Sequence, residues 1–297
     1  MVLAGKEKHW AKPKDGANWR RALNVHCKPI RKIMIDAIQT ADVVRTLKPV
    51  MERTPETGRQ LRYRIEYVID YATTLGMREG DNPARWRGHL KHIFANTSRD
   101  VKRHFPAMPY EELPSFIHKI REKDTMPALA LEFTILTAAR TGEALGAMWP
   151  EINLETAVWT IPAQRMKMKT QHTVPLPNRA MEILHELYEL QSSDYVFPGQ
   201  RPNRPLSNMS MTMVLRRMDL GHYTVHGFRS SFRTWCGDKT TVAREIAEQA
   251  LSHRLGNAAE LAYSRGDALE KRQALMQMWA DYCDGLHTGD VVPLHAV

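Results

Sequence analysis

Six side chains in this sequence have the chemistry needed to break and rejoin a phosphodiester. An arginine can hold two non-bridging oxygens with its planar guanidinium group. A lysine beside other cations can protonate a leaving alkoxide, and a histidine can accept a proton or hydrogen-bond a phosphate. Tyrosine can act as a covalent nucleophile, and its phenoxide is a fair leaving group when the bond is later restored. Together these residue types predict phosphoryl transfer without ATP, and the six are Arg140, Lys167, His226, Arg229, His253 and Tyr263.

Taken singly, each of these residues has a simpler explanation. Arg140 stands three residues before Glu143, a spacing typical of an ion pair on one helix. His226 precedes a helical run and could be a cap, and a tyrosine such as Tyr263 is more often a core aromatic. Lys167 lies in a predicted turn, where lysines are usually solvated. The spacing of the whole set favours the functional interpretation.

The composition is that of an ordinary folded protein with a basic surplus. The chain has 297 residues, which favours two domains, and 43% of them are hydrophobic. Its net charge of +9 favours a polyanionic partner, either nucleic acid or an anionic membrane surface.

Cysteine spacing argues against a disulfide-rich or zinc-binding protein, and hydropathy argues against a secreted or membrane-spanning one. Cys27, Cys236 and Cys283 form no CxxC pair, so we expect neither a disulfide framework nor a zinc site. The N-terminus has no apolar signal core, and the apolar run Ala128–Ala139 is too short to span a bilayer. We therefore expect a soluble intracellular protein that does not act at a membrane.

The first third of the chain predicts a small all-helical domain over residues 16–100, after a basic flexible arm over residues 1–15. Apolar residues at helical spacing occur from Ala17 to Ile30 and again from Thr40 to Met51. Thr54-Pro55-Glu56 begins a third helix, and Asp81-Asn82-Pro83 predicts the start of a fourth that carries Trp86, Leu90 and Ile93.

Basic side chains are frequent on the predicted outward faces of these helices. Any one of them is by default a solvated surface group, but as a set they favour contact with a DNA backbone. The predicted contact residues are Arg59, Arg62, Arg64, Arg85, Arg87 and Lys91, together with Lys169 of the second domain.

After a basic linker over residues 101–109, the pattern predicts a second, mostly helical domain over residues 110–284 and a tail over residues 285–297. Residues Trp149 to Val174 are rich in β-branched and aromatic side chains. The simplest fit is a small antiparallel sheet with turns at Asn153 to Thr156 and Arg165 to His172. Helices flank it, one of them from Pro177 to Leu190.

The chemical residues stand in patterns that resemble the tyrosine recombinases, specifically phage and genomic-island integrases. The resemblance rests on Ala139 to Glu143 (ARTGE), on His226 and Arg229 in HGFR, and on Leu251, His253 and Tyr263 at the family's spacing. The family's hairpin lysine lies eight positions before a Val-Pro-Leu proline, which selects Lys167 with Lys169 as the alternative.

This resemblance implies a mainly α fold. It pairs an N-terminal helical, SAM-like core-binding domain with a C-terminal mixed α/β catalytic domain that is mostly helical. It also implies that Tyr263 attacks a scissile phosphate to form a 3′-phosphotyrosine. Arginines 140 and 229 and His253 would hold the oxygens, Lys167 would protonate the leaving oxygen, His226 would assist proton transfer, and Glu143 would support Arg140. The implied partner is double-stranded DNA bound by a homotetramer, with DNA-bending or directionality proteins as accessory partners. The resemblance also implies that no metal or cofactor is required, and that the protein is cytoplasmic, nucleoid-associated and of bacterial or phage origin.

Integrases of this branch usually carry a further N-terminal arm-binding domain, and from its length we expect this chain to lack that domain. The implied function is integration or excision of a mobile element. Two alternatives stay open: a type IB topoisomerase-like enzyme, and a non-catalytic DNA-binding remnant of a truncated integrase.

Overall fold

The computed structural model describes residues 13–94, 106–253 and 268–286, and the chain divides into two compact units, residues 1–102 and 103–297. The predicted linker (101–109) spans the division between the units, and the part of it up to residue 105 lies outside the described residues. Most of the predicted arm and tail also lies outside them. Residues 13–15, predicted as arm, belong to a helix.

The described part of the N-terminal unit is helical. Its helices are α1 (Pro13–His26), α2 (Thr40–Arg53), α3 (Pro55–Thr74) and the short α4 (Lys91–Phe94), with one π-helical turn at Trp86–Leu90. The proline at the first position of α3 fits because its missing N–H has no partner within a helix there. Leu47 and Val43 of α2 and Leu61 of α3 are completely buried in the core of this unit.

The helix predicted to begin at Asp81-Asn82-Pro83 is wrong. The Asn82 side chain instead accepts a hydrogen bond from the Ala84 amide (2.8 Å) and donates to the Glu66 carbonyl (2.9 Å), which holds this segment in a turn. Gly88 then has a φ of 66°, which interrupts helical geometry before α4. As a result Ile93, predicted to face inward, is 53% exposed.

The C-terminal unit combines helices with one small sheet. Its helices are α5 (Leu113–Arg121), α6 (Met126–Leu136), α7 (Thr141–Leu145), α8 (Asn178–Glu189), α9 (Ser210–Arg217), α10 (Gly227–Lys239), α11 (Arg244–Ala250) and α12 (Leu269–Cys283), with 3-10 turns at Tyr110–Glu112 and Trp149–Glu151.

The sheet is antiparallel, as predicted, in the order β1 (Ile152–Asn153), β2 (Val158–Ile161), β3 (His172–Pro175). Trp159 lies opposite Val174, and Ile161 lies opposite His172. This register leaves residues 162–171 as the connection between β2 and β3, which carries both candidate lysines.

The core of this unit is built around the apolar helix α6. Phe133 contacts Trp159 of the sheet (ring centroids 5.5 Å apart) and Phe197 (5.3 Å), and all three are completely buried. Trp279 of α12 donates a hydrogen bond to the Ile135 carbonyl (2.9 Å). The mainly α fold with a small antiparallel sheet is therefore confirmed. Within the described residues, no helix has the length and apolar character needed to cross a membrane.

Candidate active site

Arg140 stands at the N-terminal cap of α7, where a buried carboxylate holds it. The Glu143 side chain accepts from Nη1 of Arg140 (2.7 Å) and from its backbone amide (3.0 Å). Glu143 is only 5% exposed. The local ion pair that the spacing indicates is therefore present. Because Glu143 binds one edge of the Arg140 guanidinium group, this ion pair also fixes the direction of the other edge.

Arg229 on α10 is held mainly by backbone. Its guanidinium donates to the carbonyl oxygens of Ala138 and Leu251, the latter at 2.6 Å, and it is 6% exposed. Burial, followed by the positive charge of Arg140, lowers the pKa of Arg229 to about 10, so it remains a cation at neutral pH. Neutral carbonyl partners fix its position without cancelling its charge.

The two arginines meet at the end of α11. Nη2 of Arg140 donates to the Leu251 carbonyl (3.4 Å) and the Ser252 carbonyl (3.2 Å), and Arg229 shares the first of these acceptors. Carbonyls at a helix C-terminus lack partners within the helix and carry the negative end of its dipole. This helix end therefore brings together two cations from α7 and α10 that would otherwise repel each other.

His253 follows directly on these carbonyls. Its Nε2 lies 3.3 Å from Nη2 of Arg229, and its Nδ1 lies 2.7 Å from Oε2 of Glu248. The side chain is 45% exposed. His253 is thus in contact with one of the two arginines and open to solvent.

His226 occupies the N-cap position of α10, but its side chain makes no capping hydrogen bond, which removes the simpler explanation for it. Burial lowers the pKa of His226, and the positive charges of Arg229, Arg140, His253 and Lys167 lower it further. Its neighbours therefore favour the neutral imidazole, the form that can accept a proton.

The same set of charges distinguishes the two candidate lysines. Lys167 is among the groups that act on His226, whereas Lys169 is not. Lys169 has a φ of 53° in the exposed connection between β2 and β3. The choice of Lys167 stays a prediction, and the effect of its charge on His226 favours it.

Tyr263 is the predicted nucleophile, and Tyr223 is the next tyrosine to test if Tyr263 is not. Tyr263 lies outside the described residues, so its role stays a prediction. Tyr223, the second choice, donates its hydroxyl to Glu112 (3.3 Å). Burial and then the charge of Glu112 raise the pKa of Tyr223, which disfavours the phenolate that a nucleophile needs.

Several predicted DNA-contact residues have protein partners. Arg62 was placed on an outward face, but its side chain is 14% exposed, pairs with Glu66 (2.6 Å) and donates to the Ala84 carbonyl (3.0 Å). That part of the prediction is wrong because these two acceptors hold the guanidinium against its own unit. Arg64 lies over the Trp19 ring (5.7 Å), and burial lowers the pKa of Arg64.

The remaining predicted contact residues lie nearer to solvent. Arg59 pairs with Glu56 (3.0 Å), and Arg85 pairs with Asp81 (3.1 Å). Arg87 and Lys91 are exposed.

Sequence reasoning missed Glu248 and Arg165. Glu248 contacts His253, and Arg165 donates to the Glu143 carbonyl (2.5 Å) and to the Glu151 carboxylate. Charged residues of these types are common on surface helices and turns, so composition alone gives no signal for them. Glu248 could have been noticed because it lies five residues before the predicted His253, near the end of a predicted helical run.

Comparison with known proteins agrees with this geometry. Residues 1–89 match the family described as the phage integrase central domain, and residues 107–265 match the phage integrase family. The chain belongs to the phage integrase family.

Curated relatives of this phage integrase family member include the prophage integrase IntA of Escherichia coli (strain K12). It is 31% identical over 93% of this chain and 67% of its own length. The integrase of Enterobacteria phage P4 is 27% identical over 84% of this chain and 60% of its own length. The chain thus spans roughly two thirds or less of the length of these relatives. The predicted activity, that of a site-specific tyrosine recombinase, is confirmed at the level of the family.

Solved structures of integrases share the fold. A lambda integrase dimer bound to a core site superposes with a TM-score of 0.64 at 17% identity, over 86% of this chain and 94% of that one. A lambda integrase tetramer bound to a Holliday junction gives a TM-score of 0.66 at 14% identity, over 86% and 76% of the two chains. At these identities the likeness shows the fold of the phage integrase family alone.

No cluster of histidine, cysteine and carboxylate ligands that could hold a metal occurs in the part of the chain that the structure describes. The expectation of metal-independent chemistry stays a prediction.

Proposed function

We propose that this phage integrase family member cleaves and rejoins double-stranded DNA through a covalent bond between Tyr263 and the 3′-phosphate. The phenolic oxygen of Tyr263 attacks the scissile phosphorus, and the 5′-oxygen leaves as a hydroxyl after taking a proton from Lys167. The reverse step, with the 5′-hydroxyl of another strand as nucleophile, releases Tyr263 and restores a phosphodiester.

The single observation that carries this proposal is the convergence of Arg140, Arg229 and His253 at the end of α11. A phosphorane-like transition state gathers negative charge on its non-bridging oxygens, and positioned cations stabilise that charge. Both guanidinium groups already have their protein-facing donors satisfied, so little reorganisation is needed when a phosphate arrives. The distance in sequence from His253 to Tyr263 is ten residues, which supports delivery of the nucleophile to the same site.

His226 fits the role of proton acceptor. The positive charges around it favour the neutral ring, and a neutral imidazole can take the phenolic proton of Tyr263. Once protonated, it would add a further cation beside the phosphate. The charge of Lys167 acts on His226, which supports its role as the donor of a proton to the leaving oxygen.

The N-terminal unit would serve as the core-binding domain and hold the duplex through its exposed basic side chains. Both solved lambda integrase assemblies described above contain DNA, one as a dimer and one as a tetramer. We propose the same partner for this chain and a homotetramer for strand exchange, with accessory DNA-bending proteins setting direction.

The proposal is tested by trapping on a nicked suicide substrate. Cleavage near the nick lets a short oligonucleotide diffuse away, so the covalent intermediate accumulates and survives denaturation. We expect an adduct from the wild type and from Tyr223→Phe, and none from Tyr263→Phe.

An adduct from Tyr263→Phe would overturn the assignment of the nucleophile. Relaxation of supercoiled plasmid without a recombination site would favour a topoisomerase-like enzyme instead. DNA binding with no adduct across a panel of candidate core sites would favour a non-catalytic remnant.

A further inference from the structure

The carboxylate of Glu248 divides its two oxygens between two partners. Oε1 accepts from Nε of Arg233 on α10 (2.6 Å), and Oε2 lies 2.7 Å from Nδ1 of His253. The Glu248 side chain is 17% exposed, so solvent competes weakly for these contacts. Because Arg233 occupies one oxygen, the other is aimed at the histidine ring.

The opposite side of the His253 ring faces a group that can only donate. Nη2 of Arg229 lies 3.3 Å from Nε2, and a guanidinium group has no acceptor. A hydrogen bond here needs a lone pair on Nε2, and a hydrogen bond to Glu248 needs a proton on Nδ1. Both neighbours therefore select the same neutral tautomer, with the proton on Nδ1.

We propose that Glu248, held by Arg233, is a positioning residue that fixes the ring orientation and the tautomer of His253 in the recombination site. It acts through His253, whose Nε2 lone pair is kept as the acceptor for Nη2 of Arg229 and so holds that guanidinium group toward the scissile phosphate. This inference rests on the proposed function for the role of His253. The tautomer itself is a property of the DNA-free protein and can be measured without DNA.

The ionisation of Glu248 agrees with that role. Burial raises the pKa of Glu248, but hydrogen bonds from Arg233 and His253 outweigh burial, so the pKa lies below its usual value. At neutral pH the group is a carboxylate and accepts hydrogen bonds at both oxygens. It therefore cannot donate to Nδ1 and cannot stabilise the other tautomer.

The isosteric change Glu248→Gln tests this directly because an amide can donate. A Gln amide pointed at Nδ1 would favour the tautomer with the proton on Nε2, which then faces the donor of Arg229. Replacing the carboxylate partner of a catalytic histidine by an amide leaves the shape intact and disturbs the tautomer. We expect covalent adduct formation to slow by about 10- to 100-fold.

The first measurement is the tautomer of His253 in DNA-free protein, read from ¹⁵N chemical shifts of histidine-labelled samples. The His253 signals are assigned by their loss in His253→Gln. In the wild type we expect the proton on Nδ1, and in Glu248→Gln a shift of population toward Nε2–H. Glu245→Gln, an exposed carboxylate on the same helix, is the matched control and leaves the His253 signals in place.

The second measurement compares the wild type with Glu248→Gln in three quantities. These are the single-turnover rate of adduct formation, the affinity for DNA and the thermal unfolding temperature. A merely structural role for Glu248 predicts lower stability with an unchanged tautomer. A positioning role predicts a slower rate with unchanged affinity and an altered tautomer. Arg233→Met, which frees Oε1, is expected to give a smaller change of the same kind.

A wild-type His253 that carries its proton on Nε2 would overturn the inference, and that result needs no variant to fold. So would a Glu248→Gln protein with the wild-type tautomer. Retention of the adduct in Tyr263→Phe would overturn the proposed nucleophile instead and would leave the tautomer result standing, so the two failures are distinguishable.

Discussion

Arg229 in the C-terminal unit and Arg85 in the N-terminal unit are held in different ways. In the C-terminal unit, Arg229 is 6% exposed and donates to two backbone carbonyls. In the N-terminal unit, the Arg85 side chain is 48% exposed and pairs with the carboxylate of Asp81, four residues earlier in a non-helical segment. A carbonyl fixes a guanidinium group while leaving its full charge available, whereas an exposed carboxylate partner offsets part of that charge and holds the group loosely.

This contrast separates two uses of a basic side chain on DNA. A cation held by carbonyls is already oriented and still attracts a phosphate, which suits transition-state stabilisation. A cation in an exposed ion pair gains little from that pair and can exchange it for a DNA phosphate. The difference predicts large catalytic effects in one unit and small binding effects in the other.

The largest effect is expected for Arg229→Lys. Lysine keeps the charge but cannot reach the Ala138 and Leu251 carbonyls and a phosphate at once, because it lacks the planar fork. Single-turnover cleavage should fall by about 100- to 1000-fold. The matched control is Arg85→Lys, for which cleavage should stay within about threefold. Equal losses in the two variants would remove the distinction between the units.

A smaller loss of cleavage rate is expected for Gly146→Ala. This variant tests whether the contacts of Arg165 support the connection between β2 and β3 that carries Lys167. A Cβ at Gly146 would lie 2.8 Å from Nη2 of Arg165 and 3.1 Å from the Gly142 carbonyl oxygen. Arg165 must then shift, although its contacts to Glu143 and Glu151 tie this connection to α7. We expect cleavage to slow by about tenfold, a loss of the size that displaced supporting contacts cause.

A change of leaving group shows whether the slower cleavage by Gly146→Ala comes from impaired proton donation by Lys167. A substrate with sulfur at the bridging 5′ position needs no proton from Lys167, because a thiolate leaves without one. The sulfur substrate should therefore restore most of the lost rate in Gly146→Ala. Gly142→Ala on the same helix adds a Cβ that meets nothing within 4 Å and serves as the control. A deficit that sulfur does not relieve would mean that the Lys167 connection is unaffected.

The pH dependence should reveal His226. Because burial and nearby cations lower the pKa of His226, acid protonates it only below the ordinary histidine range near pH 6.5. The second-order cleavage rate, which reports the free enzyme, should stay level through that range and fall at lower pH. In His226→Gln this acid limb should disappear. A limb that persists there would belong to another group.

The smallest effects are expected in the N-terminal unit, where Arg62 and Arg87 form a matched pair. Arg62→Ala removes contacts to Glu66 and Ala84 and should lower the free energy of unfolding by about 1–3 kcal/mol. Arg87→Ala should leave stability unchanged and reduce the slope of log affinity against log salt by about one. Thermal unfolding and salt titrations of DNA binding measure the two quantities. A reversed pattern would contradict the assignment of Arg62 to the fold.

Local patterns predicted much of this molecule. The apolar spacing that gave α2 and α3, and the β-branched stretch that gave the sheet, depend on periods that a sequence displays directly. The turn at Asn82 was missed because an asparagine side chain can satisfy backbone groups outside a helix as well as cap one.

The candidate site was likewise predictable only in part. Its residue types and spacing are visible in ARTGE and HGFR, but the contacts that hold them are not. The Leu251 carbonyl joins residues 111 positions apart in one case and 22 in the other. Glu248 and Arg165 contribute through geometry that only the folded chain creates, and nothing in their residue types marks them.

The most direct test of the central claim is cleavage of a substrate whose scissile phosphate is replaced by a methylphosphonate. This change removes the negative charge that Arg140 and Arg229 are placed to stabilise. On the phosphate substrate we expect Arg140→Ala and Arg229→Ala to lower the cleavage rate by about 100- to 1000-fold. On the methylphosphonate we expect the same variants to lower it by less than about tenfold. An undiminished loss on the uncharged substrate would show that the two arginines serve the fold and do not stabilise the reacting phosphate.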